Sequence, residues 1–394
     1  MVKEMLINNF QKIYGNNLND IRFYFAPGRV NLIGEHIDYN GGHVFPYAIN
    51  KGTYVIARKR SDAQIRFYSL NLKEKPFVYE SLYYDEKIEP EYRWVNYPKS
   101  TITMVRKAGY KIDSGFDIIY YGNIPGSGLS SSASIEVVIA TMLDDLFNLN
   151  MDKRAMAKIC QSVENVCYGL KTGIMDQCAV IFGKRDNAIF LDCATLEYEY
   201  APINLGNYKI VVTNSNVPHS LASSKYNERK SQCEEALADL QKVVKINHLC
   251  ELSVEEFNKI KEYIKDDTCR TRAKYVVEEE ARTKYALKAL KEKNLEEFVK
   301  QINESGKGLK DEYEATVEQI DFLVEKSLSY SYCIGSRMTG GGWGGNIIAI
   351  VEKDKASKYM FDLKEEYKKK YGIDARSNIL DCADGARRLE SDSF

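Results

Sequence analysis

Apolar positions along the chain follow two rhythms. Up to Tyr121 they alternate or cluster with β-branched and aromatic residues, so that Ile21 to Phe25, Thr53 to Arg58, Gln64 to Tyr68 and Phe116 to Tyr121 read as strands. Helical spacing follows. Ile135, Val138, Ile139, Met142, Leu143 and Leu146 mark one helix, and Met156, Ile159, Cys160, Val163, Val166 and Cys167 form a second apolar stripe with Glu164 beside it. Asn187 to Tyr200 returns to strands, Tyr208 to Val212 is another, and Tyr226 to Val244 reads as a long charged helix. From Val254 to Lys326 the composition is almost wholly helical and free of proline, and Ile347 to Val351 closes the pattern as a strand. The pattern turns near Leu205 without a Gly/Ser linker, which places an expected boundary between a domain of residues 1–205 and one of residues 206–394. Two α+β lobes with an active site in the cleft between them are expected.

Composition narrows the class. A chain of 394 residues exceeds what one hydrophobic core usually supports, and 44% hydrophobic residues supply material for two. A net charge of −1 gives no electrostatic argument for nucleic acid or for a membrane surface. No apolar run approaches the roughly 18 residues of a membrane span, and Met1 to Phe10 does not have the make-up of a secretory signal. Nine cysteines without a C-x-x-C pair point to reduced thiols in a cytoplasm, and four histidines without H-E-x-x-H make structural zinc unexpected.

Three segments concentrate the chemistry. In Pro27 to Gly42 one arginine, Arg29, and the group Glu35, His36 and Asp38 precede Asn40-Gly41, a dipeptide suited to a two-residue turn with positive φ at both positions. The apolar runs Val30 to Ile33 and Val44 to Ile49 are then free to pair across it, which puts the polar group at one end of two strands; by itself the segment also suits a solvated surface turn. The second segment runs from the strand ending at Tyr121 through Gly122-Asn123-Ile124-Pro125-Gly126-Ser127-Gly128-Leu129 into Ser130-Ser131-Ser132-Ala133-Ser134. A glycine-rich loop entering a helix leaves backbone N–H groups unpaired in front of the positive end of the macrodipole, a site for phosphate, although a serine-capped helix has the same sequence. The third is Gly335 to Asn346. Gly340, Gly342 and Gly345 satisfy G-x-G-x-x-G, but the run leads into a strand rather than a helix, so the dinucleotide reading fails and close backbone approach or a tight turn remains. The P-loop string and the H-R-D and D-F-G strings of protein kinases do not occur.

Together the three segments resemble the motifs of the galactokinase family, within the wider family that also holds homoserine, mevalonate and phosphomevalonate kinases (the GHMP kinases). Trp343 and Asn346 stand where phenylalanine and cysteine are more usual. The resemblance implies a phosphate cradle for ATP at Pro125, Gly126, Ser127, Gly128, Leu129, Ser130, Ser131 and Ser132, and a magnesium ion held by Ser132 and Glu164. Asp176, twelve residues after Glu164, resembles the catalytic aspartate, and Arg29 the arginine beside it. Taken alone, Glu164 suits a helix surface, Asp176 a helix cap and Arg29 a structural ion pair. Glu35, His36, Asp38, Gly173 and Tyr226 resemble sugar contacts, Tyr226 lying in a run that follows the family's histidine, here His219. Trp94, in Trp94-Val95-Asn96-Tyr97, resembles the tryptophan of the adenine pocket, though Pro98-Lys99-Ser100-Thr101 follows where a glycine is more typical, and a core tryptophan fits as well.

What the resemblance implies is ATP-dependent phosphorylation of galactose at its anomeric C1 hydroxyl by a cytoplasmic monomer whose partners are the sugar and ATP, with no nucleic acid and no membrane. Alternatives are a kinase of N-acetylgalactosamine or arabinose, and a sensor that binds galactose and ATP without turnover. Arg29, Ser132, Glu164 and Asp176 argue against the sensor.

Overall fold

The computed structural model describes residues 2–72, 76–79, 93–217 and 222–390. Up to Gly122 its strands are β1 (Arg22–Asn31), β2 (His43–Val44), β3 (Pro46–Lys59), β4 (Ile65–Ser69), β5 (Phe77–Tyr79) and β6 (Phe116–Gly122). After the helices that follow come β7 (Asn187–Asp192), β8 (Tyr198–Pro202), β9 (Tyr208–Asn214), β10 (Cys333–Thr339), β11 (Asn346–Glu352), β12 (Arg376–Ile379) and β13 (Arg387–Leu389). They build a six-stranded sheet ordered β13-β1-β3-β6-β4-β5, a four-stranded sheet β10-β11-β9-β12 and a three-stranded sheet β2-β7-β8. Every neighbouring pair is antiparallel except β4 with β6. The mixture is α+β, as expected. Because β13 pairs with β1 (Phe23 opposite Leu389), the end of the chain closes the sheet begun near its start.

The run Ile347 to Val351 is buried on both faces of β11, and its side chains divide by the two-residue period of a strand. Ile347, Ala349 and Val351 enter one hydrophobic cluster and Ile348 and Ile350 the other. Each isoleucine and valine among them stabilises the fold by about 1.5–3 kcal/mol on burial, which anchors the strand that carries the glycine-rich loop. The helix Ser131–Phe147 buries Val137, Val138, Ile139, Met142 and Leu143 completely, packed against β1 and β3, so its first turn stands at the end of the six-stranded sheet.

Two details depart from the sequence reading. Val30–Asn31 and Pro46–Tyr47 do pair, and Leu32 and Phe45 extend the contact, but the connection is not a two-residue turn. Asp38–Asn40 forms a 3-10 turn in which only Gly41 is left-handed, at φ 70°, and the Asn40 amide donates to the His36 carbonyl at 2.9 Å. The longer loop wins because it closes its own backbone groups while turning His36 and Asp38 inward. The second apolar stripe also ends early as an α-helix, at Ser162, and continues as a π-helical turn over Val163–Cys167. The stretch from Val254 to Lys326 is helical, divided at side-chain caps such as Asp266 and Asn294.

Buried charge ties the first motif to the second half of the chain. Arg337, on β10 and fully buried, pairs with Glu35 and donates to the Leu32 carbonyl at 2.6 Å. Gly34 N–H donates to Glu279 at 2.9 Å, and Glu279 also accepts from Ser305 at 2.5 Å and Arg282 at 2.8 Å. Removing one member of a buried pair leaves the other uncompensated, whereas replacing both by apolar groups is far milder. Arg337→Met is therefore expected to cost about 3–5 kcal/mol in denaturant unfolding, and Arg337→Met with Glu35→Leu to recover most of it. A neutral single variant would show that the pair does not hold the two halves together.

Candidate active site

A cavity of about 540 Å³ opens where the end of β1, the start of the helix Ser131–Phe147 and the β10–β11 loop converge. At its centre Arg29 and Asp176 meet edge to edge: Nε donates to Oδ1 at 2.7 Å and Nη2 to Oδ2 at 2.8 Å. Arg29 follows a register shift between Pro27 and Arg29 that re-aims the strand, and Asp176 sits in the first turn of the helix Met175–Phe182, where the dipole favours a carboxylate. Ser130 donates to Asp176 Oδ2 at 2.5 Å from a left-handed backbone, φ 58°, unusual for a non-glycine residue. The Arg29 side chain is 6% exposed and that of Asp176 28%, so the carboxylate remains reachable from the cavity while its guanidinium is shielded.

Beside this pair, Ser132 donates to Glu164 Oε1 at 2.7 Å. The π-helical turn places Glu164 inward, where burial pushes its carboxyl above the usual range despite the Ser132 hydrogen bond. One hydroxyl and one carboxylate next to a helix N-terminus match the hard oxygen donors that magnesium shares with phosphate and water. Glu136, one turn after Ser132 and fully buried, is pushed well above the usual carboxylate range by desolvation and then by the charge of Glu164.

The opposite wall is built by the first motif. Asp38 accepts from Tyr39 N–H at 3.0 Å, and burial, reinforced by Asp176, pushes its carboxyl up to about 6. Gly173 lies so close that an added Cβ would stand 1.9 Å from Asp38 Oδ2. His36 has a left-handed backbone, φ 64°, and its ring hydrogen-bonds with Tyr39 OH at 2.9 Å and lies 5.2 Å from the Tyr226 ring and 4.9 Å from the Tyr313 ring. Burial lowers its pKa to about 3, so it is neutral. The Tyr226 hydroxyl is raised well above 10 by burial and stays protonated. Glu35 lines the cavity, but its carboxylate is committed to Arg337 and to Gly340 N–H at 3.2 Å.

Of the expected phosphate-loop residues, Gly128, Ser130, Ser131 and Ser132 line the cavity; Pro125, Gly126, Ser127 and Leu129 do not, and Gly126 and Ser127 are exposed. Leu129 is buried and its carbonyl accepts from Arg29 N–H at 3.2 Å, while the Ser127 carbonyl accepts from Asn214 at 3.1 Å and Asn346 at 2.7 Å. Asn346, at a position where cysteine is more usual, thus binds the loop. Trp94 does not line the cavity: it packs against Tyr120 and its carbonyl accepts from the Tyr120 hydroxyl at 2.9 Å. One turn on, Tyr97 does line it, stacked on Tyr168 with centroids 4.4 Å apart. His219 lies outside the described residues. Sequence reasoning missed Tyr97, Glu136, Gln177 and Arg337; Arg337 stood within the third motif, but its partner is 302 residues away.

Comparison with known proteins bears on all three motifs. The chain matches the galactokinase galactose-binding signature over residues 8–59, the GHMP kinase N-terminal domain over 96–184 and the GHMP kinase C-terminal domain over 286–369. It is 46% identical over 392 residues to a galactokinase of Fusobacterium nucleatum, covering 98% of this chain and 100% of that one. A galactokinase of Clostridium tetani is 49% identical over 369 residues, 93% of each chain. The structure of Lactococcus lactis galactokinase complexed with galactose superimposes with a TM-score of 0.94 at 40% identity, covering 99% of this chain and 100% of that one. Methanococcus jannaschii mevalonate kinase shares the fold, with a TM-score of 0.66 at 19% identity over 93% of this chain and 100% of that one.

The contact between Gly173 and Asp38 yields a direct test. Gly173→Ala is expected to destabilise the protein by about 1–3 kcal/mol in denaturant unfolding, as overpacking does, with most of that loss relieved in a Gly173→Ala/Asp38→Ala double variant. Additive losses would place the strain elsewhere.

Proposed function

The chain belongs to the galactokinase family within the GHMP kinases, and we infer from that membership and from the cleft that it phosphorylates galactose at the anomeric C1 hydroxyl, converting ATP to ADP. The observation that carries the residue assignment is the two-point pairing of Arg29 with Asp176 between a hydroxyl-rich helix start and the Asp38 wall.

Phosphoryl transfer passes through a loose transition state, so positioning and charge neutralisation matter more than covalent chemistry. The ATP phosphates lie against the helix start at Ser130 to Ser132, where free N–H groups and the macrodipole favour anions. Ser132 and Glu164 are the ligands for magnesium, which when bound neutralises phosphate charge. On the sugar side, Asp176 takes the hydrogen bond of the C1 hydroxyl and aims its oxygen at the γ-phosphorus. Arg29, donating two hydrogen bonds to Asp176, holds that carboxylate in place and adds positive charge where negative charge moves. Asp38 accepts from the C4 hydroxyl, while His36 and Tyr226 supply neutral polar edges. Gly173 admits the Asp38 carboxylate, and Glu35, held by Arg337, fixes the end of the sugar pocket. Tyr97, with Trp94 further back, forms the side toward the adenine. We place the domain division near Leu205, with β13 handed back to the first lobe. A cytoplasmic location is supported by the nine cysteines, all free.

Asp176→Asn and Arg29→Ala are each expected to remain folded but to lower galactose-dependent ADP release by roughly 10²-fold or more. Near-parental turnover in either variant would remove that residue from the chemistry.

Asp38 generates a pH dependence. Galactose hydroxyls donate to its ionised form, so galactose affinity measured by calorimetry should weaken as pH falls through about 6, and Asp38→Asn should lose that dependence. The sign for stability is opposite. With its folded pKa raised, the native state binds more protons than the unfolded chain between the ordinary aspartate value near ~4 and about 6, so this group makes the ligand-free protein less stable as pH rises through that window. An unchanged pH profile in Asp38→Asn would assign the dependence to another group.

A further inference from the structure

We propose that Glu136 and Gln177 form a positioning pair that sets the cation-binding hydroxyl and carboxylate, Ser132 and Glu164, in register with Asp176. The proposal rests on the reading of Ser132 and Glu164 as the magnesium site. Both residues of the pair are fully buried, and Gln177 Nε2 donates to Glu136 Oε2 at 3.1 Å. Their places on the helices give that bond its reach. Glu136 follows Ser132 by one turn on the helix Ser131–Phe147, and Gln177 directly follows Asp176 on the helix Met175–Phe182. A single hydrogen bond therefore spans the two helices that carry the phosphate-side hydroxyl and the sugar-side carboxylate.

The pair is a poor choice for stability. No lysine or arginine is hydrogen-bonded to Glu136 among the described residues, and Glu136 Oε1 and Gln177 Oε1 are both buried without a partner. An acceptor buried in this way is unfavourable, and two apolar side chains of similar volume would fill the space more cheaply. A directional bond adds to apolar packing a preferred distance and angle between the two side chains it joins. A misplacement of about 1 Å in such a site is enough to lower turnover roughly 10²-fold.

The test compares Glu136→Met/Gln177→Leu, Glu136→Gln, Gln177→Ala and Glu164→Ala with the parent. Three readouts are used: thermal unfolding, ADP affinity by calorimetry with and without magnesium, and the separate kcat and KM for galactose. The apolar double variant should unfold at or above the parental temperature, yet lose about tenfold in the magnesium-dependent gain in ADP affinity and about tenfold or more in kcat, with KM for galactose nearly unchanged. Glu136→Gln, which retains an acceptor for the Gln177 amide, should restore most of both. If the double variant does not fold, Gln177→Ala carries the same comparison. Parental magnesium dependence and kcat in the variants of the pair, alongside lost magnesium dependence in Glu164→Ala, would overturn the positioning role alone. No magnesium dependence in the parent, or full dependence in Glu164→Ala, would overturn the reading of the cation site and the pair's role with it.

Discussion

A guanidinium held in plane against a carboxylate, Arg29 on Asp176, decides where the rest of the cleft must stand. The two residues arrive from different elements, β1 and the helix Met175–Phe182, and two parallel hydrogen bonds tolerate little rotation of either. Ser130 reaches the same carboxylate only by adopting a left-handed backbone, and Arg29 also donates to the Gly128 carbonyl at 3.0 Å. The glycine-rich loop before the helix Ser131–Phe147 is thus seated on the ion pair from one side. From the other side Asp176 adds to the rise that burial gives the Asp38 pKa, so the two walls of the pocket are electrostatically coupled through it.

Around that pair the cleft gathers more carboxyl groups than basic ones. Asp38, Glu136, Glu164 and Asp176 lie close enough to influence one another, and Arg29 is hydrogen-bonded only to Asp176 among them. Such an arrangement is unfavourable in the free protein and becomes favourable once hydroxyl donors and a cation arrive. Burial is what gives the site its selectivity for such ligands, because an unpaired buried carboxylate is far more costly than a solvated one.

The sequence made the site legible wherever chemistry and local structure coincide. Arg29, Asp38, Ser132, Glu164 and Asp176 stand in short motifs whose flanking strands and helices announce themselves by period, and the structure gathers all five at one cavity. Long-range partners were not legible. Glu35 reads as a free carboxylate until Arg337 is found against it, and Asn346 reads as a departure until it is seen binding the Ser127 carbonyl. Asn40-Gly41 misled for a local reason, since the Asn40 amide closes onto His36 instead of turning the chain. Trp94 and Tyr97 lie one turn apart on one helix, and period alone does not say which of them faces the cavity. Glu136 was passed over because nothing in the residues beside it reveals that its side chain meets Gln177.

The measurement that bears most directly on this site is kcat/KM for galactose and glucose, which differ only in the orientation of the C4 hydroxyl, with N-acetylgalactosamine and arabinose beside them. An Asp38 carboxylate left unpaired in the cleft by the wrong epimer costs roughly 1–3 kcal/mol, so galactose should be favoured over glucose by roughly 5- to 150-fold, with the other two sugars below galactose. Comparable values for galactose and glucose would contradict a cleft built to recognise the axial C4 hydroxyl.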